Sequence, residues 1–592
     1  MKQKGLFLLF FALVIIYTTL ESAPLFLVQN GKSSATIIIP KNPSLTESFA
    51  AEELSSYIQK STGAAIAILT EDKLPSYNSS KPYILVGETE QSKTLGISLA
   101  PIKKGGFLVK RMNNFLILRG EDDRISYNPN GTSSPTDPKQ RSQTRHGTLF
   151  AVYDILEKNL GIRWYWPGPL GEIVPSHTSF SIDLLDYYEN PAFEYRSRYG
   201  YWLDDSDFGY DESILWWRRM RCGAAGYHPA THSFAKYVEL YGKSHPEYFA
   251  LQKDGTRLTN TNHGGGHICF SNKEFQKILI ADLIDTFKKR PDLYTLNVVP
   301  GDSFEQYCCQ CEECKAQYDE NASKLPQSHA TFINSNGKHS RIVWNYVNEV
   351  AREVRKALPD RYIGCCAYAS YFLPPANIKF EPNVSVTICR GNADLYFWDP
   401  KDIELSHSII QQWSTLSNLL FTWEYPCGAQ AYGNAVIFPH GINQEVKRMY
   451  ASNIKGSIIE YPPCYEPSKY GGSYTGWMRE LPTTYILFKS LWKMNLDVDK
   501  IMDEFCRDLY GPAATPMKQF FTRMEKIWKE GNHGTKPYYA NWSNIWTSLY
   551  SEENLDILFG YLKRAEKIAP EGIYKKRVQK TIQGFSTFEQ NR

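Results

Sequence analysis

At 592 residues and a formal net charge of +3, the chain is long enough for several domain-sized units. It is too near neutral for electrostatics to argue for nucleic acid or an anionic membrane surface as a partner, and its Lys and Arg residues form no basic run. Hydrophobic residues at 42% and charged residues at 22% are ordinary for a globular protein, whereas 14 Trp and 39 Tyr supply many flat faces suited to packing a core or stacking on sugar rings.

Residues 1–23 read as an export signal, with Lys2 and Lys4 before an apolar stretch from Leu6 to Tyr17 that is too short to span a bilayer. No other segment is long and apolar enough for a membrane helix. The expectation is therefore a secreted or periplasmic protein that does not insert in the membrane once the signal is removed. Asn-x-Ser/Thr sites at Asn78, Asn130, Asn321, Asn383 and Asn541 matter only in a host that glycosylates.

Residues 24–185 read as a small α/β domain. Ser44 and Glu47 have capping-box spacing ahead of Phe49, Ala50, Leu54, Tyr57 and Ile58 at helical intervals. Short strands are predicted at Tyr83 to Val86, Phe107 to Val109 and Phe115 to Leu118, and a helix through Leu149, Val152, Tyr153 and Leu156. Residues 186–490 alternate β-type runs with longer segments, several of them helical. The runs are Phe193 to Tyr199, Thr295 to Val299, Tyr362 to Tyr368, Val384 to Cys389, Leu419 to Trp423 and Gly456 to Ile459. Such alternation predicts a (β/α)₈ TIM-like barrel. Residues 491–592 carry apolar stripes at Val498/Met502/Phe505/Leu509, Met517/Phe520/Met524/Trp528 and Leu555/Leu558/Leu562, the pattern of a packed helical region.

In a parallel barrel, side chains just past the carboxyl ends of the strands face the active site. That rule selects Asp302, Tyr368, Tyr371, Arg390, Asp394, Glu424 and Glu460, with Trp423 beside the carboxylates. Glycoside cleavage needs one protonated carboxyl for the leaving oxygen and a second negative group beside the sugar carbon. Glu424 and Glu460, on neighbouring strands, are the expected catalytic pair. Asp302, Tyr368, Arg390, Asp394 and Trp423 are expected to contact substrate. His228 and His232 stand four apart, but Pro229 and the lack of a zincin glutamate favour sugar binding or structure over zinc.

Cys308, Cys309, Cys311 and Cys314 cluster after Asp302. In an exported protein such a cluster is read as disulfide-bonded or structural in preference to metal-binding, since adjacent Cys308 and Cys309 cannot easily serve one tetrahedral ion. No phosphate loop, nucleophile elbow or dinucleotide fingerprint is found, and Gly264 to Gly266 lacks the lysine a phosphate loop needs; no cofactor and no metal are expected.

Two sets of motifs carry a family resemblance. His146-Gly-Thr-Leu-Phe-Ala-Val-Tyr-Asp154 and Gly161-Ile-Arg-Trp-Tyr-Trp-Pro167 resemble the N-terminal domain of α-glucuronidases and β-hexosaminidases. His245-Pro-Glu-Tyr-Phe249, Gly301-Asp302 with Cys309-x-Cys311-x-x-Cys314, Trp423-Glu424-Tyr425 and Gly456-Ser-Ile-Ile-Glu460 resemble the domain-of-unknown-function family 4838, which is similar to glycoside hydrolase family 163. The resemblance implies an endo-β-N-acetylglucosaminidase acting on the N-glycans of glycoproteins. It also implies a retaining mechanism in which the substrate's acetamido oxygen can be the nucleophile. Glu460 is then placed by position as acid/base and Glu424 as the supporting carboxylate, or the two in exchanged roles, with Asp302 as a substrate contact. An exo-acting α-glucuronidase, with Arg390 meeting the acidic sugar, and a carbohydrate-binding protein without catalysis are the competing readings.

Overall fold

A computed structural model describes residues 23–103, 105–123, 145–200, 210–223, 231–262, 264–291, 293–322, 325, 336–390, 400–424, 437–461, 481–531 and 545–590. The export signal, His228 and Asp394 lie outside the described residues. Among the described residues no helix is long and apolar enough to cross a membrane.

The N-terminal region is built on a six-stranded mixed sheet in the order Asp186–Glu189, Phe107–Met112, Phe115–Gly120, Tyr83–Val86, Thr36–Ile39, Ala67–Thr70. The expected capping box forms: the Ser44 hydroxyl accepts from the Glu47 amide while the Glu47 carboxylate accepts from the Ser44 amide. It starts the helix Leu45–Thr62, which Gly63 ends in the left-handed region at φ 76°. This helix and Gly147–Asn159 bury apolar faces that include Leu54, Ile58, Leu149 and Val152. The second helix can reach the sheet only because two glycines meet there; a Cβ on Gly120 would stand 2.0 Å from the Gly147 carbonyl carbon.

The central sheet is parallel throughout. Its strands run Tyr195–Gly200, Ile454–Tyr461, Leu419–Glu424, Val384–Arg390, Tyr362–Ala367, Thr295–Asn297, and these are the six β-type runs of the sequence. Parallel neighbours need crossovers, and the helices Ser340–Ala357, Pro400–Leu416 and Pro439–Ala451 supply three of them. The connection from Ala367 to Val384 carries only the single helical turn Ala369–Tyr371. A closed eight-stranded barrel is not what the described residues form: six strands make a curled half-barrel, and its edge strands Tyr195–Gly200 and Thr295–Asn297 do not pair with each other.

Beyond the sheet, Leu481–Trp492, Val498–Tyr510, Ala514–Glu530, Glu552–Ile568 and Ile573–Gln590 are helices. The predicted stripes are their buried faces, with Phe505, Phe520, Met524 and Leu558 almost fully covered. Three parts of the chain are tied together by charge. Arg221 bonds Asp154 at 2.9 Å and Glu157 at 2.8 Å, and Lys489 also bonds Glu157. Arg219 reaches Glu53 at 3.3 Å, and the Tyr165 hydroxyl donates to Asp508 at 2.8 Å.

Candidate active site

Successive side chains of a strand point to opposite faces, so Trp423 and Glu424 cannot share one. The strand resolves the choice. Glu424 turns toward the helix Pro439–Ala451, where Arg390 donates to it from Nε at 2.8 Å and from Nη2 at 2.7 Å. Arg390 also bonds Glu445 of that helix and approaches the Met449 sulfur at 3.1 Å. Glu445 is further bonded by His407 at 3.2 Å and Arg448 at 3.1 Å. Arg390, Glu424 and Glu445 are each no more than 3% exposed. Burial by itself would raise the Glu445 pKa, but the Arg390 guanidinium and His407 hold its carboxyl well below the usual range. This is a sealed structural ion cluster. The expectation that Glu424 faces the substrate as partner of Glu460, with Arg390 as a substrate contact, is therefore corrected: the strand-end rule finds the rim but does not say which face a given residue takes.

The other face carries Trp423 and Glu460. The Trp423 indole N–H donates to Glu460 Oε2 at 2.7 Å, and the Glu460 carboxylate is half-buried at the carboxyl end of its strand. One oxygen of Glu460 is thus positioned by the Trp423 donor.

At the carboxyl end of the Thr295–Asn297 strand stands a second carboxylate, Asp302. Tyr368, just past the neighbouring strand, donates its hydroxyl to Asp302 Oδ1 at 3.1 Å, and His232 Nε2 lies 3.3 Å from the same oxygen. The other imidazole nitrogen, Nδ1, faces the Pro300 carbonyl, which can only accept. A ring with an acceptor at each nitrogen is best satisfied when both carry protons. Burial alone would lower the His232 pKa; the hydrogen bond and charge of Asp302 outweigh it and raise the value above that of free histidine. Burial alone would raise Asp302, but the His232 hydrogen bond and charge, with the Tyr368 hydroxyl, hold its carboxyl below the ordinary range. Asp302 is thus held as an anion.

The glycine run supplies the seat for this pair. Gly264, Gly265 and Gly266 have φ of 76°, 106° and 89°, and the Asp302 amide donates to the Gly264 carbonyl at 2.8 Å. A Cβ on Gly264 would lie 2.4 Å from the Asp302 Cβ, and one on Gly265 would lie 2.8 Å from the His232 Cβ. The run had no phosphate-loop partner in the sequence, and its close approach to Asp302 was not legible there. Nor was the role of Cys269: its sulfur joins those of Cys309, Cys311 and Cys314, all within 4.8 Å of one another, whereas Cys308 stands outside the group.

The family model for a domain of unknown function, DUF4838, matches residues 166–522, more than half of the chain. No curated protein matches it. Among solved structures the chain is similar to a family GH115 4-O-methyl-α-glucuronidase with specificity for decorated arabinogalactans. The identity is 13% and the TM-score 0.54, over 96% of this chain and 73% of that one. It also aligns with a family 89 glycoside hydrolase from Clostridium perfringens, at 8% identity and TM-score 0.45, over 92% of this chain and 61% of the other. A mutant β-hexosaminidase from Streptomyces plicatus aligns at 10% identity and TM-score 0.42, over 83% of this chain and 92% of the other. The first of these likenesses speaks to the fold.

Proposed function

The chain belongs to the DUF4838 family, and from the chemistry of its rim we propose that it is a glycoside hydrolase in which Glu460 is the acid/base and Asp302 the supporting anion. The observation that carries this reading is the presence of two carboxylates at the carboxyl end of one parallel sheet, each held by neighbouring donors. Glu460 is half-buried with one oxygen fixed by Trp423; Asp302 is kept ionised by His232 and Tyr368. A glycosidase needs two carboxyl groups whose surroundings keep one available for proton transfer and the other negative.

The finer reading is a secreted endo-β-N-acetylglucosaminidase that cuts between N-acetylglucosamine units of N-glycans. Asp302 would orient and polarise the substrate's acetamido group, whose oxygen attacks the sugar carbon. Glu460 would protonate the departing oxygen and then, as base, activate the water that opens the intermediate. The similarity of the DUF4838 family to glycoside hydrolase family 163 and the anionic state of Asp302 support this. The α-glucuronidase reading drew on Arg390 as partner for an acidic sugar; that guanidinium is enclosed with Glu424 and Glu445, so the reading loses its cation.

The test is incubation of the purified chain with a panel of N-glycoproteins, followed by mass spectrometry of released glycans and of the protein left behind. The proposal expects cleavage between N-acetylglucosamine units. Release of a free uronic acid from acidic glycans, or no release from any glycoprotein, contradicts it.

A further inference from the structure

We propose that Cys269, Cys309, Cys311 and Cys314 bind one structural zinc ion that braces the two segments forming the seat of Asp302. The four sulfurs lie within 4.8 Å of one another, with Cys269 3.8 Å from Cys311 and 3.9 Å from Cys314. A tetrahedral site with Zn–S bonds of about 2.3 Å requires its sulfurs about 3.8 Å apart. The sulfurs converge on one point instead of forming two pairs, and each is a free thiol. Cys308, the thiol whose adjacency to Cys309 argued against a metal, is not needed: its sulfur faces the Glu305 carbonyl, and Cys269 takes the fourth position from another segment.

The surroundings suit thiolates. The Leu251 amide donates to the Cys309 sulfur at 3.3 Å, and the Ser271 hydroxyl lies 3.1 Å from the Cys314 sulfur. Such outer donors fix ligand orientation and spread the negative charge of a four-thiolate site. Cys269, Cys309 and Cys314 are buried, while Cys311 is half-buried. With four protein ligands the site is closed, which is the structural kind of zinc site and offers no position for a reacting water. Soft sulfur ligands without carboxylates or imidazole exclude magnesium and calcium. On binding, each thiol gives up its proton to solvent, four Zn–S bonds form, and no electron is transferred.

The placement gives the ion its purpose. Cys269 follows the glycine run Gly264–Gly266, and Cys309 to Cys314 follow Asp302. The two segments already meet through the Asp302 amide on the Gly264 carbonyl at 2.8 Å and the Gly301 amide on the Gly266 carbonyl at 3.2 Å. A zinc ion shared between them would keep both sides of that contact together. In an oxidising compartment it would also shield the thiols from disulfide formation.

Elemental analysis of the full chain, purified without chelator, should find about one zinc per chain. A mercurial should release that zinc into a chromogenic indicator in step with the titration of four thiols. The paired substitution Cys309→Ser with Cys314→Ser should remove the metal, and Cys308→Ser should keep it. Should the paired variant fail to fold, cobalt exchanged into the wild-type chain still decides, through the charge-transfer and visible bands of a tetrahedral thiolate site. The proposal is overturned by a metal-free wild type whose intact mass is lower by two or four hydrogens, by iron in place of zinc, or by full zinc retention in the paired variant. None of these readouts depends on glycosidase activity.

Discussion

At the scale of single residues, the chemistry depends on which carboxylates stand open at the carboxyl end of the sheet. Asp302 and His232 make it sensitive to pH with a definite sign. His232, raised above its free value, keeps its charge as pH rises and loses its contribution only above about 6.5, the ordinary histidine value. Asp302, lowered, keeps its charge as pH falls and loses it only below the ordinary aspartate value of about 3.9. In His232→Gln the acid limb of kcat/KM should therefore move upward, toward the ordinary carboxylate range; an unchanged limb would detach Asp302 from the reaction. Glu460 could be read in the sequence from its place after a β-type run. The misplacing of Glu424 was also avoidable in part. Strand alternation forbids Trp423 and Glu424 from sharing one face of the sheet, and the sequence reading had both at the site. What the sequence could not supply was Glu445, whose helix provides the reason for Arg390 to turn outward.

At the scale of elements, the glycine run is the most exposed to test. Gly265→Ala places a side chain at φ 106° and 2.8 Å from the His232 Cβ. A strained backbone of that kind costs about 1–3 kcal/mol, and His232 must move from Asp302. The variant should melt a few degrees lower and lose kcat, which thermal unfolding and steady-state rates would show together; full activity at unchanged stability would mean that the seat is slack. Helices were the most legible elements, because an apolar stripe at 3.6-residue spacing names its own buried face: Phe505, Phe520, Met524 and Leu558 are all covered as their spacing predicts. The cysteine group was half legible. Cys309, Cys311 and Cys314 announce themselves by spacing, but Cys269 lies 42 residues before Cys311 in the chain, and only the fold brings it near.

For the whole molecule, the six strands of the half-barrel were each visible as short β-type runs, and their parallel order followed from the helices between them. Closure was not visible, because a strand's own residues do not say whether its free edge will find a partner. The join between the N-terminal sheet and the rest was hidden for the same reason. Asp154 and Glu157 lie on one helix, Arg221 and Lys489 far along the chain, and only the assembled structure shows them in contact. Removing one member of such a shielded cluster strands the others, so Arg221→Met should cost about 3–5 kcal/mol. Denaturant unfolding should report the loss as a single transition at lower midpoint. Two separated transitions in the wild type would show instead that the regions fold independently and that the cluster is incidental. The central claim, that Glu460 and Asp302 do the chemistry while Glu424 supports the fold, is tested most directly by one rate comparison. Glycan release would be measured for wild type, Glu460→Gln, Asp302→Asn and Glu424→Gln, each at a temperature where it is folded. The account predicts losses of about 10²–10⁴-fold for the first two variants, and for Glu424→Gln a lowered melting temperature with most of its rate retained. Near-wild-type release by Glu460→Gln, or abolished release by a fully stable Glu424→Gln, would contradict it.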